Sequence, residues 1–200
     1  MLNIYRALQA GERHITHNTE GLNEDWLVTW EISEAEIEAA IAYSRRLTTA
    51  YHERLTRLVE TTRDIGAIPV LVTQPVLYGD AVDTRTGIDL GKVHVSNVDG
   101  STAWKLLELY NDITRIVARD LEVKLVDLAS ELPKSSYYFY DTLHFTNEGA
   151  ARIGDILYRE LRPYLAKHFP DYFLSEGSEP WAGRVIPGDD LPRQTARDRY

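Results

Sequence analysis

Apolar residues recur at helical spacing along three stretches of the chain. The first stretch lies between Ser33 and Gly66, and its mostly apolar stripe is Ile37, Ile41, Ser44, Leu47, Tyr51, Leu55, Leu58, Thr62 and Ile65. Ser33 and Glu36 have the spacing of a capping box, and Gly66 suits the left-handed conformation that ends many helices. The pattern therefore predicts one long amphipathic helix with a defined start and end.

Two further stripes predict the remaining helices. One comprises Ala103, Leu106, Tyr110, Ile113 and Val117, and the other comprises Ala150, Ile153, Leu157 and Leu161. Thr146 is placed to cap the last helix, and Glu148 suits the positive end of its dipole. Pro163 is expected to close that helix, because proline is a poor helix-interior residue.

Two short segments predict strands. Residues 69–73 form an apolar run that is typical of a strand buried on both faces in a parallel sheet. Residues 123–128 supply the next strand, after the second helix. Helix, tight glycine turn and buried strand in this order indicate the α/β class.

Residues 80–98 are polar, contain Gly87 and Gly91, and show little period. A structureless loop of that length is unusual in a compact domain, so it is either a lid or substrate loop or a variable surface excursion. From His168 onward the chain is rich in Pro, Gly and charge. We therefore predict one domain over residues 1–168 and an extended, partly disordered tail over residues 169–200.

Composition narrows the function classes. The chain has 200 residues, 44% of them hydrophobic, which suits one globular domain. A net charge of −9 argues against a nucleic-acid partner, and the lack of cysteine excludes disulfides and cysteine nucleophiles. His14 and His17 lack a further ligand at matching spacing, so a solvated loop is favoured over a metal site. Residues 1–17 resemble neither a signal peptide nor a membrane span, so the chain as it stands is expected to be cytoplasmic.

Residues 140–149 contain the strongest candidate chemistry. Asp141 and His144 are three residues apart, directly before the last predicted helix. A carboxylate there can accept a hydrogen bond from imidazole Nδ1 and leave Nε2 free as a general base, as in the acid–base half of a hydrolase triad. The alternative is a surface turn in which Asp141 caps the helix and His144 is incidental. The aromatic run 137–140 next to them either lines a substrate pocket or packs in the core.

Asp141-Thr142-Leu143-His144-Phe145-Thr146, with Gly149, resembles the last sequence block of the SGNH or GDSL-type hydrolases. The upstream order agrees, with Thr73-Gln74-Pro75, Tyr110-Asn111 and the strand 123–128, so that the resemblance runs from about Tyr51 to Leu165. It implies a three-layer α/β/α fold with a flavodoxin-like parallel sheet. It also implies acyl-ester hydrolysis with His144 as base and Asp141 as its orienting group, on acetylated carbohydrates, short-chain esters or lipids. No metal or organic cofactor is implied.

The chain also departs from that family. Family members carry a Gly-Asp-Ser nucleophile on the first strand and a Gly-x-Asn-Asp oxyanion block, and neither is found intact here. Asn3 is a candidate for the oxyanion asparagine, at the trailing edge of the second of these blocks. The chain is thus expected either to be a fragment that begins after its nucleophile or to have lost the serine. Missing strands would leave an apolar sheet edge open to self-association, and a non-catalytic pseudoenzyme or binding domain is the rival hypothesis.

Ser101 offers another candidate nucleophile. With Asp141 and His144 it gives the chain order Ser, Asp, His. It is also suitably placed to cap the second predicted helix, and a serine before an apolar stripe is a cap far more often than a nucleophile. We therefore predict that Ser101 is an N-cap.

Overall fold

A computed structural model describes residues 21–29 and 32–172. Its elements in chain order are helix α1 (Glu34–Asp64), strands β1 (Val70–Val72), β2 (His94–Val95) and β3 (Val98–Asp99), helix α2 (Gly100–Asp120), strand β4 (Lys124–Val126), and helices α3 (Leu128–Glu131) and α4 (Asn147–His168). Short 3₁₀ helices occur at Glu24–Trp26 and Pro170–Tyr172. Asn3, His14, His17 and the tail from residue 173 onward lie outside the described residues.

Both ends of α1 follow from local sequence. The Glu36 N–H donates to Ser33 Oγ over 3.3 Å, and the Ser33 N–H donates to Glu36 Oε2 over 3.0 Å. At the other end Gly66 has φ of 79°, its N–H donates to the Arg63 carbonyl, and the Ala67 N–H donates to the Thr62 carbonyl. This is a Schellman motif, which satisfies the last free carbonyls of the helix. The predicted capping box and glycine end are confirmed.

The structure is mixed α/β with a small parallel sheet. β1 pairs with β4 in the register Val70↔Lys124, Leu71↔Leu125 and Val72↔Val126. The two predicted strands are therefore confirmed as parallel neighbours, although each is shorter than predicted. Residues on a strand alternate between its faces. Leu71 accordingly packs with α1 and α2, whereas Val70 and Val126 belong to a second apolar cluster.

The two clusters differ in what they join. The first lies between α1, α2 and the sheet and consists of Leu55, Val59, Leu71, Val117, Ala118 and Val123. The second collects residues from the segment after β1, the 80–98 region, the segment before α4, and α4 itself, including Val76, Leu77, Leu90, Val93, Phe139 and Ile156. The loops at the ends of the parallel strands are therefore part of the core.

Residues 80–98 are ordered and partly buried, so the expected lack of structure in this segment is wrong. Leu90 and Val93 are fully buried, and β2 and β3 form an antiparallel hairpin. The buried Asp83 carboxylate accepts five hydrogen bonds, from the N–H and hydroxyl of Thr86, the hydroxyl of Ser135, and the N–H and hydroxyl of Ser136. The three contacts with Ser135 and Ser136 hold the segment against the chain before α4. Its role as a lid or substrate loop stays a prediction.

The β1 edge of the described two-stranded sheet carries no further strand. Among the described residues β1 pairs only with β4, and Val72 is 43% exposed. Self-association through this edge stays a prediction. Within residues 21–29 and 32–172, every helix is too short or too polar to cross a membrane.

Contacts divide the chain into units of Met1–Arg162 and Pro163–Tyr200. The elements described above belong to the first unit, including α4 as far as Arg162. In the described part of the second unit the Tyr164 and His168 rings lie 4.4 Å apart, and the Phe169 N–H donates to the Leu165 carbonyl. Pro163 does not close the last helix, which continues to His168.

Candidate active site

A short antiparallel ladder holds the predicted Asp–His pair. Three consecutive residue pairs close around residues 141–143: Tyr138 with Thr146, Phe139 with Phe145, and Tyr140 with His144. The Thr146 N–H donates to the Tyr138 carbonyl over 3.0 Å, and the Tyr140 N–H donates to the His144 carbonyl over 3.1 Å. We call this segment the 138–146 ladder.

The two faces of the 138–146 ladder have different roles. Phe139 is buried, and its ring lies 5.2 Å from that of Phe145. On the other face the Tyr140 ring stacks on the His144 imidazole, with centroids 5.6 Å apart and planes 11° apart. One face therefore anchors the ladder in the core, and the other presents the histidine. The aromatic run is divided accordingly, with Phe139 in the core and Tyr140 beside the candidate base.

The ladder is fixed to the start of α4. Thr146 Oγ1 accepts a hydrogen bond from the Gly149 N–H over 3.0 Å and donates to the Tyr137 carbonyl over 2.7 Å, which confirms Thr146 as the cap. A Cβ on Gly149 would lie 2.0 Å from the Tyr138 carbonyl oxygen, so only glycine permits this approach. The Leu77 N–H donates to the Thr142 carbonyl and links the turn to the segment that follows β1.

Asp141 uses its two oxygens for different purposes. Oδ1 accepts the backbone N–H groups of Leu143 at 2.7 Å and His144 at 2.6 Å. Oδ2 lies 2.6 Å from His144 Nδ1. A carboxylate beside Nδ1 favours the tautomer that carries its proton there, which leaves the Nε2 lone pair available. The predicted Asp141–His144 hydrogen bond is thus present in the structure.

The exposure of the His144 side chain to solvent suits a general base that takes a proton from a bound reactant. The Asp141 side chain is 16% exposed and that of His144 is 57% exposed. Among the described residues, His144 Nε2 has no hydrogen-bond partner. Burial alone would raise the pKa of Asp141, but hydrogen bonds from the His144 and Leu143 N–H groups and from the imidazole outweigh it and lower the pKa. Asp141 is therefore ionised at neutral pH.

Ser101 does not cap α2. Asp99 is the N-cap, and its Oδ1 accepts the Thr102 N–H over 2.7 Å. The first helical residue, Gly100, has to be glycine, because a Cβ there would lie 2.1 Å from the Leu90 carbonyl oxygen. The Ser101 hydroxyl instead donates to the Asp80 carboxylate. The cap prediction for Ser101 is wrong, and within the described residues no hydrogen bond joins Ser101 to His144.

Asp127, at the end of β4, is the centre of another polar cluster. Its carboxylate accepts from Arg115 Nε over 2.9 Å and Nη2 over 3.0 Å, from Thr73 Oγ1 over 2.6 Å and from Ser130 Oγ over 3.0 Å. Burial would raise the pKa of Asp127, but the hydrogen bonds from Arg115, Thr73 and Ser130 lower it to about 2. Both carboxylate oxygens are occupied by fixed donors, so this cluster ties α2 to the strand ends.

Lys134 has an unusual environment that the sequence did not indicate. Its Nζ lies 3.4 Å from the centroid of the Trp104 ring and donates to the Val76 carbonyl over 3.1 Å. Burial lowers the pKa of Lys134 to about 8, against the opposing charges of Glu108 and Asp80. A single lysine in a loop carries no periodic or motif signal, and only the fold brings these groups together.

In the described part of the chain, no group of three or more His, Asp or Glu side chains is arranged to hold a metal ion. Comparisons of the chain with protein-family models, with curated proteins and with solved structures find no match. A functional hypothesis therefore rests on the geometry of the 138–146 ladder and on the sequence.

Proposed function

We propose that this chain carries the acid–base half of an SGNH or GDSL-type ester hydrolase. In this proposal Asp141 and His144 are two members of a Ser–His–Asp triad, and β1 and β4 are two strands of a three-layer α/β/α fold. The observation that carries it is the 2.6 Å contact between Asp141 Oδ2 and His144 Nδ1, beside an exposed Nε2.

The proposed chemistry is acyl transfer. A serine Oγ attacks the ester carbonyl carbon while His144 Nε2 takes the hydroxyl proton, and Asp141 stabilises the imidazolium that forms. The tetrahedral intermediate then expels the alcohol, which receives that proton from His144. Water attacks the acyl-enzyme with His144 again as base, and the carboxylic acid leaves as the serine regains its proton.

The proposal requires a serine that can reach Nε2. Ser101 is directed at Asp80, so we expect the nucleophile outside the described residues. Asn3 also lies outside the described residues, and its role as an oxyanion donor stays a prediction. The substrate class is an acyl ester of an alcohol or carbohydrate.

A non-catalytic domain is the rival function. It is favoured by one observation: within the described residues no hydroxyl group is hydrogen-bonded to His144 Nε2. Loss of the serine lowers turnover about a million-fold in serine hydrolases, so a chain without one would bind rather than hydrolyse.

A fluorophosphonate probe separates the two functions. The product of the complete natural reading frame is incubated with the probe and analysed by intact mass and peptide mapping. The hydrolase predicts a single serine adduct in wild type and in His52→Ala, and its loss in His144→Ala. His52 is the control because it is a half-exposed histidine on α1 and not part of the 138–146 ladder.

Two further results decide the assignment. A folded protein with no adduct and no hydrolysis of acetyl esters contradicts the hydrolase and supports the non-catalytic domain. Ser101→Ala is expected to keep the adduct, and loss of the adduct in this variant would identify Ser101 as the nucleophile.

A further inference from the structure

We propose that Tyr140 is the positioning residue of His144, and that its ring holds the imidazole in the orientation that directs Nε2 outward. The consequence for catalysis rests on the proposed hydrolase function. The geometric claim concerns the chain alone and has its own test.

The register of the ladder places the two rings side by side. The Tyr140 N–H donates to the His144 carbonyl, so these residues are a cross-strand pair. The preceding pair, Phe139 and Phe145, faces the core. Because neighbouring residues on a strand point to opposite faces, the next pair has to face outward together.

His144 needs a second restraint. The hydrogen bond to Asp141 Oδ2 restrains one ring atom, Nδ1, and by itself still permits the ring to pivot through coupled rotation about the Cα–Cβ and Cβ–Cγ bonds. With 57% of its side chain exposed, His144 has little surrounding packing. The nearly parallel Tyr140 ring, 11° from the imidazole plane, restricts that pivot. Offset stacking of this kind is a favoured aromatic geometry.

The Tyr140 ring is not part of the apolar core that anchors the ladder. The Tyr140 residue is 43% exposed, whereas the ladder is already anchored by Phe139 on its other face. A Tyr140 variant is therefore expected to fold, which makes its effect on the imidazole measurable.

The test is nitrogen-15 NMR of the histidine side chains in the full 200-residue chain. Two-bond nitrogen–proton correlations report the tautomer, and the ring-proton shifts report the stacked tyrosine. His144→Ala assigns the signals. We expect Tyr140→Phe to retain the wild-type pattern, with one Nδ1-protonated tautomer, and Tyr140→Leu to show mixed tautomers and loss of the ring-current shift. Tyr137→Leu is the matched control, since Tyr137 is 49% exposed and packs on Tyr138 instead.

Unchanged His144 signals in Tyr140→Leu overturn the proposal, whether or not the protein hydrolyses esters. A Tyr140→Phe chain that behaves like Tyr140→Leu contradicts it too, because the hydroxyl group would then be responsible. Where turnover is measurable, Tyr140→Leu is expected to lower kcat about three- to ten-fold with KM unchanged, and Tyr140→Phe to restore it. Absence of turnover in every variant counts against the hydrolase alone, since the NMR result does not depend on it.

Discussion

Asp127 and Asp141 are half-buried aspartates with lowered pKa values, and each accepts hydrogen bonds at both oxygens. Their partners differ. Asp127 is held by Arg115, which stays charged, and by the hydroxyls of Thr73 and Ser130. Asp141 holds two backbone N–H groups with one oxygen and a histidine with the other.

The difference separates a structural carboxylate from a candidate catalytic one. Every donor around Asp127 is fixed within the protein, so its charge ties α2 to the strand ends. Asp141 bonds instead to an imidazole, which can gain or lose a proton and has an exposed nitrogen. The chemical character of the partner distinguishes the two sites, since pKa shifts in the same direction occur in both.

Exchange of each carboxylate for an amide gives the largest expected contrast. In the proposed hydrolase, Asp141→Asn lowers ester turnover about ten-thousand-fold, because the amide favours the wrong imidazole tautomer. Asp127→Asn is the matched control and should keep turnover within about ten-fold, since only packing at the strand ends is disturbed. Steady-state kinetics on folded variants checks this prediction. Equal losses of turnover in the two variants would contradict the assignment of Asp141 as catalytic and Asp127 as structural.

Asp83 extends the structural side of the comparison. It is fully buried, and three of its five hydrogen bonds join the 80–98 segment to Ser135 and Ser136, while the other two come from Thr86 within the segment. Asp83→Ala leaves buried donors without partners and is expected to lower the free energy of unfolding by about 3–4 kcal/mol. Urea denaturation measures the loss. Asp89→Ala, in the same segment, should cost less than about 1 kcal/mol, and a similar cost at both positions would contradict the role given to Asp83.

Acid should weaken the Asp127 cluster within a defined pH range. The folded-state pKa of Asp127, about 2, lies below its ordinary value of 3.8. Its contribution is therefore complete above about pH 4 and is lost as pH falls towards 2 and below. We expect Asp127→Asn to cost roughly 2 kcal/mol at neutral pH, with the difference from wild type narrowing across that range.

The control for this titration is Asp112→Asn, which removes a more exposed partner of the same Arg115. It should cost less than about 1 kcal/mol. A wild-type advantage over Asp127→Asn that stays constant from pH 5 to pH 2 would show that the Asp127 charge is not what stabilises the strand ends.

The smallest expected effect concerns the start of α2. Asp99→Ala removes the observed cap and should cost about 1 kcal/mol, whereas Ser101→Ala should cost less than about 0.5 kcal/mol. Thermal unfolding of the two variants compares them. The reverse order would restore Ser101 as the cap.

Local features of the fold were predictable from the sequence. The ends of α1, the cap at Thr146 and the positions of the two strands depend on patterns within a few residues, and all are confirmed. The Asp141–His144 contact belongs to the same class, because its partners are three residues apart. Its proposed use in catalysis stays a proposal.

Features that depend on distant contacts were missed. The 80–98 segment is polar in sequence, and its order comes from contacts between Asp83 and residues more than 50 positions away. Asp99 and Ser101 are both good caps by type, and the structure uses Asp99, while the Ser101 hydroxyl bonds to Asp80, 21 positions earlier in the chain. Tyr140 was placed near His144 by sequence, but only the register of the 138–146 ladder shows that their rings stack.

The most direct test of the acid–base pair compares probe labelling of four proteins, each made from the same complete natural reading frame: wild type, His144→Ala, Asp141→Asn and Asp127→Asn. Labelling is followed by intact mass after a fixed exposure to the fluorophosphonate. The account predicts a serine adduct in wild type and Asp127→Asn that is lost in His144→Ala and strongly reduced in Asp141→Asn. An adduct that forms equally fast in all four proteins would contradict the assignment of Asp141 and His144 as the acid–base half of the active site.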